Sequence, residues 1–450
     1  MYKFALAAKY MVKRRIAYFA VLAVALCVFI VVIVMTVMVG LVRDFKQKNH
    51  DFVGDCVVAT ESLVGFSYYE DFIKVLESAG FVSAVSPVIK SYALISLQDT
   101  DEADVGVEMM GVDPLRHDRV AGFSRTLSYR AGDVSRAFEP IYDPNLAGCI
   151  LGIDLALRRN ARSRYFYDPS PPRVAFSVSC FPLTVTGALA KAGTSIVNTQ
   201  TFYYSDHSHT GLARVDGSTI YLPFERAQLL CGMNEPAKRA SAINIRFAPG
   251  VKLDAGCENV AAMWRKFKLE KAGQEYANLL DTVTVQSWKA YRRESIAPME
   301  KEQTIISVMF AFVGITTVFI VFVVFYMIIS HKSKDIGILK SAGASNAGIV
   351  GLFSQFALFV GLLGSCTGTL AGCLFLGNIN RMENWLFERF GFQLWDRTIY
   401  AIGDIPNQVD FGVLAIIMCS ALLACLVGAL IPTLQAARLR PADILRVSQL

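Results

Sequence analysis

The chain has 450 residues, of which 54% are hydrophobic and 18% charged, and a mean hydropathy of +0.41. Such a balance is too apolar for an ordinary soluble enzyme of this length and points to a membrane protein. The net charge of +6 fits a nucleic-acid partner only if it is diffuse, so the position of the basic residues decides that reading.

Four blocks without Asp, Glu, Lys or Arg follow in chain order, at 16–42, 303–331, 341–380 and 411–437. Each is long enough for the ~20 apolar residues that a membrane helix needs. The first is too long for a cleavable signal peptide and is expected to remain as a helix. The predicted spans are 16–42, 303–331, 347–380 and 411–437.

Positive residues are held on the cytoplasmic side of a membrane. Residues 1–15, the linker 332–346 and the tail 438–450 together carry eleven Lys and Arg and two Asp, a net +9. The chain total of +6 leaves −3 for the other side, of which 381–410 holds −2. The basic excess is thus an orientation signal, and nucleic acid falls away. Both termini are expected in the cytoplasm, with 43–302 and 381–410 outside.

The fold class read from this pattern is an α-helical membrane protein, with four transmembrane helices and a large α+β extracytoplasmic domain inserted between helices 1 and 2. Within that domain the stretches 56–97 and 241–288 each read strand, helix, strand. Their helices are marked by Tyr69, Phe72, Ile73 and Leu76, and by Val260, Met263, Trp264 and Phe267. Two βαβ halves, about 50–97 and 229–290, are expected to flank a β-rich subdomain at about 98–228.

No catalytic constellation appears in this domain. Asp206-His-Ser-His209 has the spacing to place two imidazoles on one strand face, but a solvated loop is the blander account, and no metal site is expected. The five cysteines of the domain (Cys56, Cys149, Cys180, Cys231, Cys257) show no repeated spacing and reveal no disulfide framework. No G-x-x-x-x-G-K-[ST] loop occurs, so the chain has no recognisable means of binding ATP. Any ATP-driven work needs a partner chain. Pro169, Pro171 and Pro172, followed by Arg173, form a stiff cluster that is either a rigid turn or a loop presented to a soluble protein.

The inner linker H-K-S-K-D-I-G-I-L-K-S-A-G-A-S is predicted as a short helix. Ile336 and Leu339 give it an apolar face, Lys332, Lys334, Asp335 and Lys340 give it polar edges, and Gly343 permits a terminal turn. So short a helix must dock on something, whether lipid headgroups or a protein. In the third span Gly364, Gly368 and Gly372 recur every four residues, the spacing that lets helix backbones approach closely. No ionisable residue interrupts any span, which argues against a polar path through the bilayer.

This order of one span, a large outer domain and three spans resembles the permease superfamily that includes MacB and FtsX. So do the linker K-S-K-D-I-G-I-L-K-S-A-G-A-S and the ending Pro432, Ala436, Arg440-Pro-Ala-Asp-x-Leu-Arg446. Within it the likeness is closest to the lipoprotein-releasing LolC/LolE permeases. The stretch from Phe392 to Asp410 is similar to LolE-like chains, and Gly148 to Ala156 and Ser218 to Gln228 to the outer domain of that group.

The resemblance implies the permease subunit of an ATP-binding-cassette transporter in the bacterial inner membrane. Two permease chains, as homodimer or heterodimer, would sit on two ATPase chains that bind ATP and Mg, with no cofactor in this chain. Lys332, Lys334, Asp335, Ile336, Leu339, Lys340 and Gly343 would be the coupling segment. ATP-driven motion would lift a lipoprotein from the outer leaflet toward a periplasmic carrier. Met38, Val39, Leu41, Val42, Ile305, Ile306 and Met309 are candidates for the lipoprotein-binding surface, unless they simply face lipid. Pro169, Pro171, Pro172 and Arg173 mark the candidate carrier-binding loop. A MacB-like exporter with a separate ATPase and an FtsX-like transducer controlling a cell-wall hydrolase are the rival readings.

Overall fold

The computed structural model describes residues 15–97, 104–158, 165–167, 170–189, 197–331, 333–392 and 405–438. It forms two compact units, with chain crossings at residues 43/44 and 297/298. Helix α1 (Arg15–Val53) contains the first crossing. The α/β unit then follows as β1 (Cys56–Thr60), β2 (Phe66–Ser67), α2 (Tyr69–Glu77), β3 (Val82–Leu97), β4 (Val105–Val112), α3 (Pro114–Ala121), β5 (Gly148–Gly152), α4 (Ile153–Ala156) and β6 (Ala175–Cys180). It continues through β7 (Asn198–Ser208), α5 (Ala213–Ser218), β8 (Thr219–Pro223), α6 (Phe224–Leu230), β9 (Arg239–Ala240), β10 (Ala242–Phe247), α7 (Leu253–Lys271), β11 (Val283–Ser287) and α8 (Trp288–Tyr291).

The two βαβ halves do not make separate layers. Their strands interleave in the order β11-β1-β10-β3, every neighbouring pair antiparallel. Each half therefore supplies the neighbours that the other half lacks, a split βαβ arrangement. Helices α2 and α7 pack together over this sheet, with Phe72 4.7 Å from Trp264 between ring centroids and Phe72, Leu76, Val260 and Phe267 buried.

The β-rich insert is joined to the βαβ halves through a shared strand. Strand β3 is 16 residues long and serves two structures. Val82–Val88 pairs with β10, and farther along Ala93–Leu97 pairs with β6. From β3 the sheet continues β4-β8-β5-β7-β6, and the β6–β3 pairing closes six strands on themselves. Closure removes the free edges that an open sheet of this size would expose. One apolar core runs through both parts, from Val58, Ile243 and Ile89 to Leu151, Phe202 and Ile220.

The helical unit continues with α9 (Arg293–His331), α10 (Ser333–Ser341), α11 (Asn346–Phe390) and α12 (Phe411–Arg438). Helices α1, α9, α11 and α12 are long and apolar enough to cross a membrane. Three outrun the charge-free blocks: α1 continues to Val53, α9 begins at Arg293, and α11 ends only at Phe390. A charged residue ends hydrocarbon solubility without ending a helix, so the block edge marks the membrane boundary and not the helix end. Helix α11 is capped at one end by Ser345, whose Oγ accepts from Gly348 N–H, and at the other by Gly391 at φ +67°.

Candidate functional site

The short helix α10 occupies the inner linker that the sequence singled out. Ile336 is 1% exposed and packs with Ile329 of α9, Ile349 and Phe353 of α11, and Ala437 of α12. The Lys340 ammonium donates to the Ala437 carbonyl at 2.7 Å. Gly343 takes φ +92° and turns the chain toward α11, a conformation open to glycine and costly for most other residues. One small helix thus touches the ends of three long ones.

This geometry corrects the expected docking face. Ile336 cannot meet a partner chain, because it is the residue that seats α10 on its own bundle. The apolar side chain presented outward is Ile338, 60% exposed. Residues two apart on a helix point about 200° away from each other, so only one of the two isoleucines can face the bundle. That spacing was the available signal for Ile338, which the sequence reading passed over. Lys332 and the side chains of Lys334, Asp335 and Leu339 lie outside the described residues.

The glycines of α11 have their neighbours within the same chain. A Cβ on Gly364 would lie 2.8 Å from Val24 Cβ, one on Gly368 2.4 Å from the Ala25 carbonyl, and one on Gly372 2.9 Å from Val32 Cγ1. The stripe is therefore a seam with α1. Gly428 makes the equivalent approach of α12 to α9, where a Cβ would meet the Val318 carbonyl at 2.6 Å. Close backbone approach replaces the hydrophobic drive that is absent between helices in lipid.

The candidate lipid-anchor surface divides. Met38, Leu41 and Val42 are buried and Val39 half-buried, with Pro406 seated on Gly40. The first three are thus withdrawn from the proposed lining. Ile305 and Met309 are exposed and Ile306 half-buried. On α9 the bundle-facing stripe Thr317, Val321, Phe325 and Ile329 begins only at residue 317. Before it, Val308, Phe312 and Ile315 join Ile305 and Met309 on an apolar surface that the sequence reading had only partly identified.

Pro171 is half-buried, while Pro172 and Arg173 are exposed in an irregular segment just before β6, with the Arg173 guanidinium 5.5 Å from the centroid of the Tyr142 ring. Pro169 lies outside the described residues. The Asp206-His-Ser-His209 run is not a solvated loop. Asp206 and His207 are buried in β7, and the Asp206 carboxylate accepts backbone N–H groups of Tyr129 at 3.0 Å and Arg130 at 2.8 Å. His207 Nδ1 lies 2.7 Å from the Tyr204 hydroxyl. Among the described residues no group of three or more His, Cys, Asp and Glu is arranged to hold a metal ion.

Residues 307–441 match the family described as FtsX-like permease C-terminal. The lipoprotein-releasing system transmembrane protein LolC of Neisseria meningitidis serogroup B is 23% identical over 433 residues, covering 95% of this chain and 93% of that protein. LolC of Xylella fastidiosa strain 9a5c is 25% identical over 36% of this chain and 39% of its own. LolE of Haemophilus influenzae is 27% identical over 26% of this chain and 29% of its own. Among solved structures, the periplasmic region of MacB from Actinobacillus actinomycetemcomitans covers 55% of this chain and 95% of that one, at 10% identity and a TM-score of 0.28, too distant to carry a conclusion. The resemblance to LolC/LolE permeases, with an FtsX-like C-terminal part, is borne out by the family and sequence matches.

Proposed function

We propose that this chain is the permease subunit of an ATP-driven transporter that draws lipoproteins out of the outer leaflet of the bacterial inner membrane and hands them to a periplasmic carrier. The observation that carries the reading is its end-to-end likeness to a lipoprotein-releasing transmembrane protein. In this reading both termini and α10 are cytoplasmic, and the α/β unit is periplasmic, as the distribution of Lys and Arg favours.

The energy comes from a partner ATPase dimer that holds ATP and Mg. Force enters through α10, whose exposed Ile338 is the apolar contact offered to the ATPase. Ile336 and Lys340 connect that helix to α9, α11 and α12, so displacing α10 displaces the ends of all three. Helices α1 and α9 continue without a break past the residues where the chain enters and leaves the α/β unit, which is what transmission by pulling on helices requires. The exposed apolar surface of α9 around Ile305, Met309 and Phe312 is the candidate shelter for acyl chains. Such shelter is needed because each acyl CH₂ removed from the bilayer costs about 0.8 kcal/mol. A second permease chain, identical or related, completes the complex, and the exposed segment around Pro172 and Arg173 is the candidate carrier contact.

The test is release in liposomes that contain this chain, its ATPase and a triacylated lipoprotein, with outer-compartment extract as the source of carrier. ATP-dependent appearance of the lipoprotein in solution is expected. ATP turnover without release would overturn the extraction reading.

A further inference from the structure

The α/β unit carries a pair of thiols that no part of the transport reading uses. Cys180 is the last residue of β6, and Cys231 caps the C-terminus of α6. They are 51 positions apart in sequence, yet their Sγ atoms lie 3.7 Å apart. Both are buried, Cys180 beside the Ser91 hydroxyl at 3.5 Å and the Tyr92 carbonyl at 3.4 Å of β3. A disulfide needs ~2.05 Å between the sulfurs, so the pair stands within about 2 Å of bonding distance.

We propose that Cys180 and Cys231 form a disulfide in the mature protein, a covalent staple that joins the strand closing the six-stranded barrel to the helix that follows β8. The proposal rests on the reading that places the α/β unit outside the cytoplasm, where disulfides form and persist. The oxidant is a protein disulfide donor of that compartment. The Cys180 thiolate attacks the donor disulfide, forming a mixed disulfide and expelling one donor thiolate. The Cys231 thiolate then attacks the Cys180 sulfur, forming the Cys180–Cys231 bond and expelling the second donor thiolate. Two thiol protons leave to water, and the two electrons lost by the chain reduce the donor.

In the finished fold the hydrogen bond between the two sulfurs lowers the Cys180 thiol to about 7, while the same bond and burial push Cys231 well above the ordinary thiol value. Because both sulfurs are buried in the finished fold, exchange belongs to folding, before α6 has settled on the barrel. The link then closes a loop containing β7 and β8, and lowers the conformational entropy of the unfolded chain.

The experiment alkylates free thiols in whole cells under denaturing, non-reducing conditions, then maps the peptides of the full-length chain by mass spectrometry. A Cys180–Cys231 cross-linked peptide is expected, with Cys149, fully buried in β5, recovered as an alkylated thiol. Reduction of the purified chain, or the double variant C180A/C231A, is expected to lower the thermal midpoint by roughly 5–15 °C. Recovery of Cys180 and Cys231 as separate alkylated thiols would overturn the proposal, provided the unit is outside. That condition is read independently with Lys266→Cys, at a side chain 81% exposed on α7, and a membrane-impermeant maleimide added to intact cells. If Lys266→Cys is protected, the topological reading fails, and the pairing is judged on purified protein treated with glutathione disulfide. Formation of the same cross-link there supports the pairing, and its absence overturns it.

Discussion

Ile336 and Ile338, two residues apart on one short helix, have opposite fates, one sealed into the bundle and the other presented outward. Replacing each by Asp separates structure from coupling. Ile338→Asp is expected to leave the chain folded and to reduce ATPase binding and lipoprotein release at least tenfold, measured by co-purification and the liposome assay. Ile336→Asp buries a carboxylate among apolar side chains and is expected to loosen α10 itself, seen as increased proteolysis of the 332–345 linker. Equal, near-normal release by both variants would remove α10 from the coupling role. Buried histidines give the α/β unit a pH response. His117 is fully buried on α3, and desolvation lowers its imidazole to about 4. The unfolded chain binds its proton near 6.5, so the unfolded state takes up more protons than the fold between about 6.5 and 4. Stability is therefore full above about 6.5 and falls as pH drops through that window, by about 1.4 kcal/mol per pH unit from this residue. His117→Phe should flatten the acid limb of a urea titration followed by Trp264 and Trp288 fluorescence, leaving the contribution of His207, whose imidazole burial also lowers.

At the scale of elements, contact distances decide which glycines matter. A Cβ on Gly368 would overlap the Ala25 backbone of α1, whereas one on Gly377, about two and a half turns farther along α11, would meet no atom within 4 Å. Gly368→Leu is expected to cost about 1–3 kcal/mol and to lower the midpoint of thermal unfolding in detergent, with Gly377→Leu near neutral. A gain of similar size from both would mean that helix propensity, and not the α1 seam, governs α11. In the α/β unit a Cβ on Gly111 of β4 would lie 2.3 Å from Ala227 Cβ of α6. Gly111→Val should displace α6 and raise amide hydrogen exchange at 224–230 while sparing β1 and β10. Arg239 shows how an element end is fixed by a charge held on backbone carbonyls. It is fully buried and donates to the carbonyls of Val64 at 2.9 Å and Leu183 at 3.1 Å, and to that of Gly232, so it ties three turns together at once. The two helices of the halves were legible because apolar residues three and four apart leave a clear period. The exposed face of α10 was not, because nine residues hold too few turns to distinguish a seat from a docking face.

For the whole molecule, the interleaved sheet makes a prediction about folding. Strand β1 needs β10 and β11 on its two sides, which arrive more than 180 residues later in the chain. A fragment of residues 44–240 is therefore expected to be unfolded, and one of residues 44–297 to show native circular dichroism. A folded 44–240 fragment would mean that the barrel is stable without the split βαβ sheet. The strands near Cys56, Val82, Ala242 and Val283 are legible in the sequence, but not their order. The segment from 98 to 228 reads as a β-rich insert, but its sharing of β3 with the halves is not legible, because a strand that changes partners halfway along carries no local mark of the change. The sulfur pair of Cys180 and Cys231 was hidden for the same reason. Spacing along the chain says nothing about which ends a barrel brings together.

What the sequence determined by itself is what a one-dimensional physical constraint dictates. Bilayer thickness demands long uncharged blocks, and the asymmetry of Lys and Arg about them favours one orientation; both are sums over local composition. The four membrane-length helices, the large inserted α/β domain and the permease resemblance followed from local composition and motifs. The tertiary structure alone decided strand order, barrel closure, the partner of the glycine stripe, the burial of Ile336 and the meeting of two distant thiols. Each of these depends on which distant segments come into contact, a choice made by the combined packing of the chain and recorded at no single position in it.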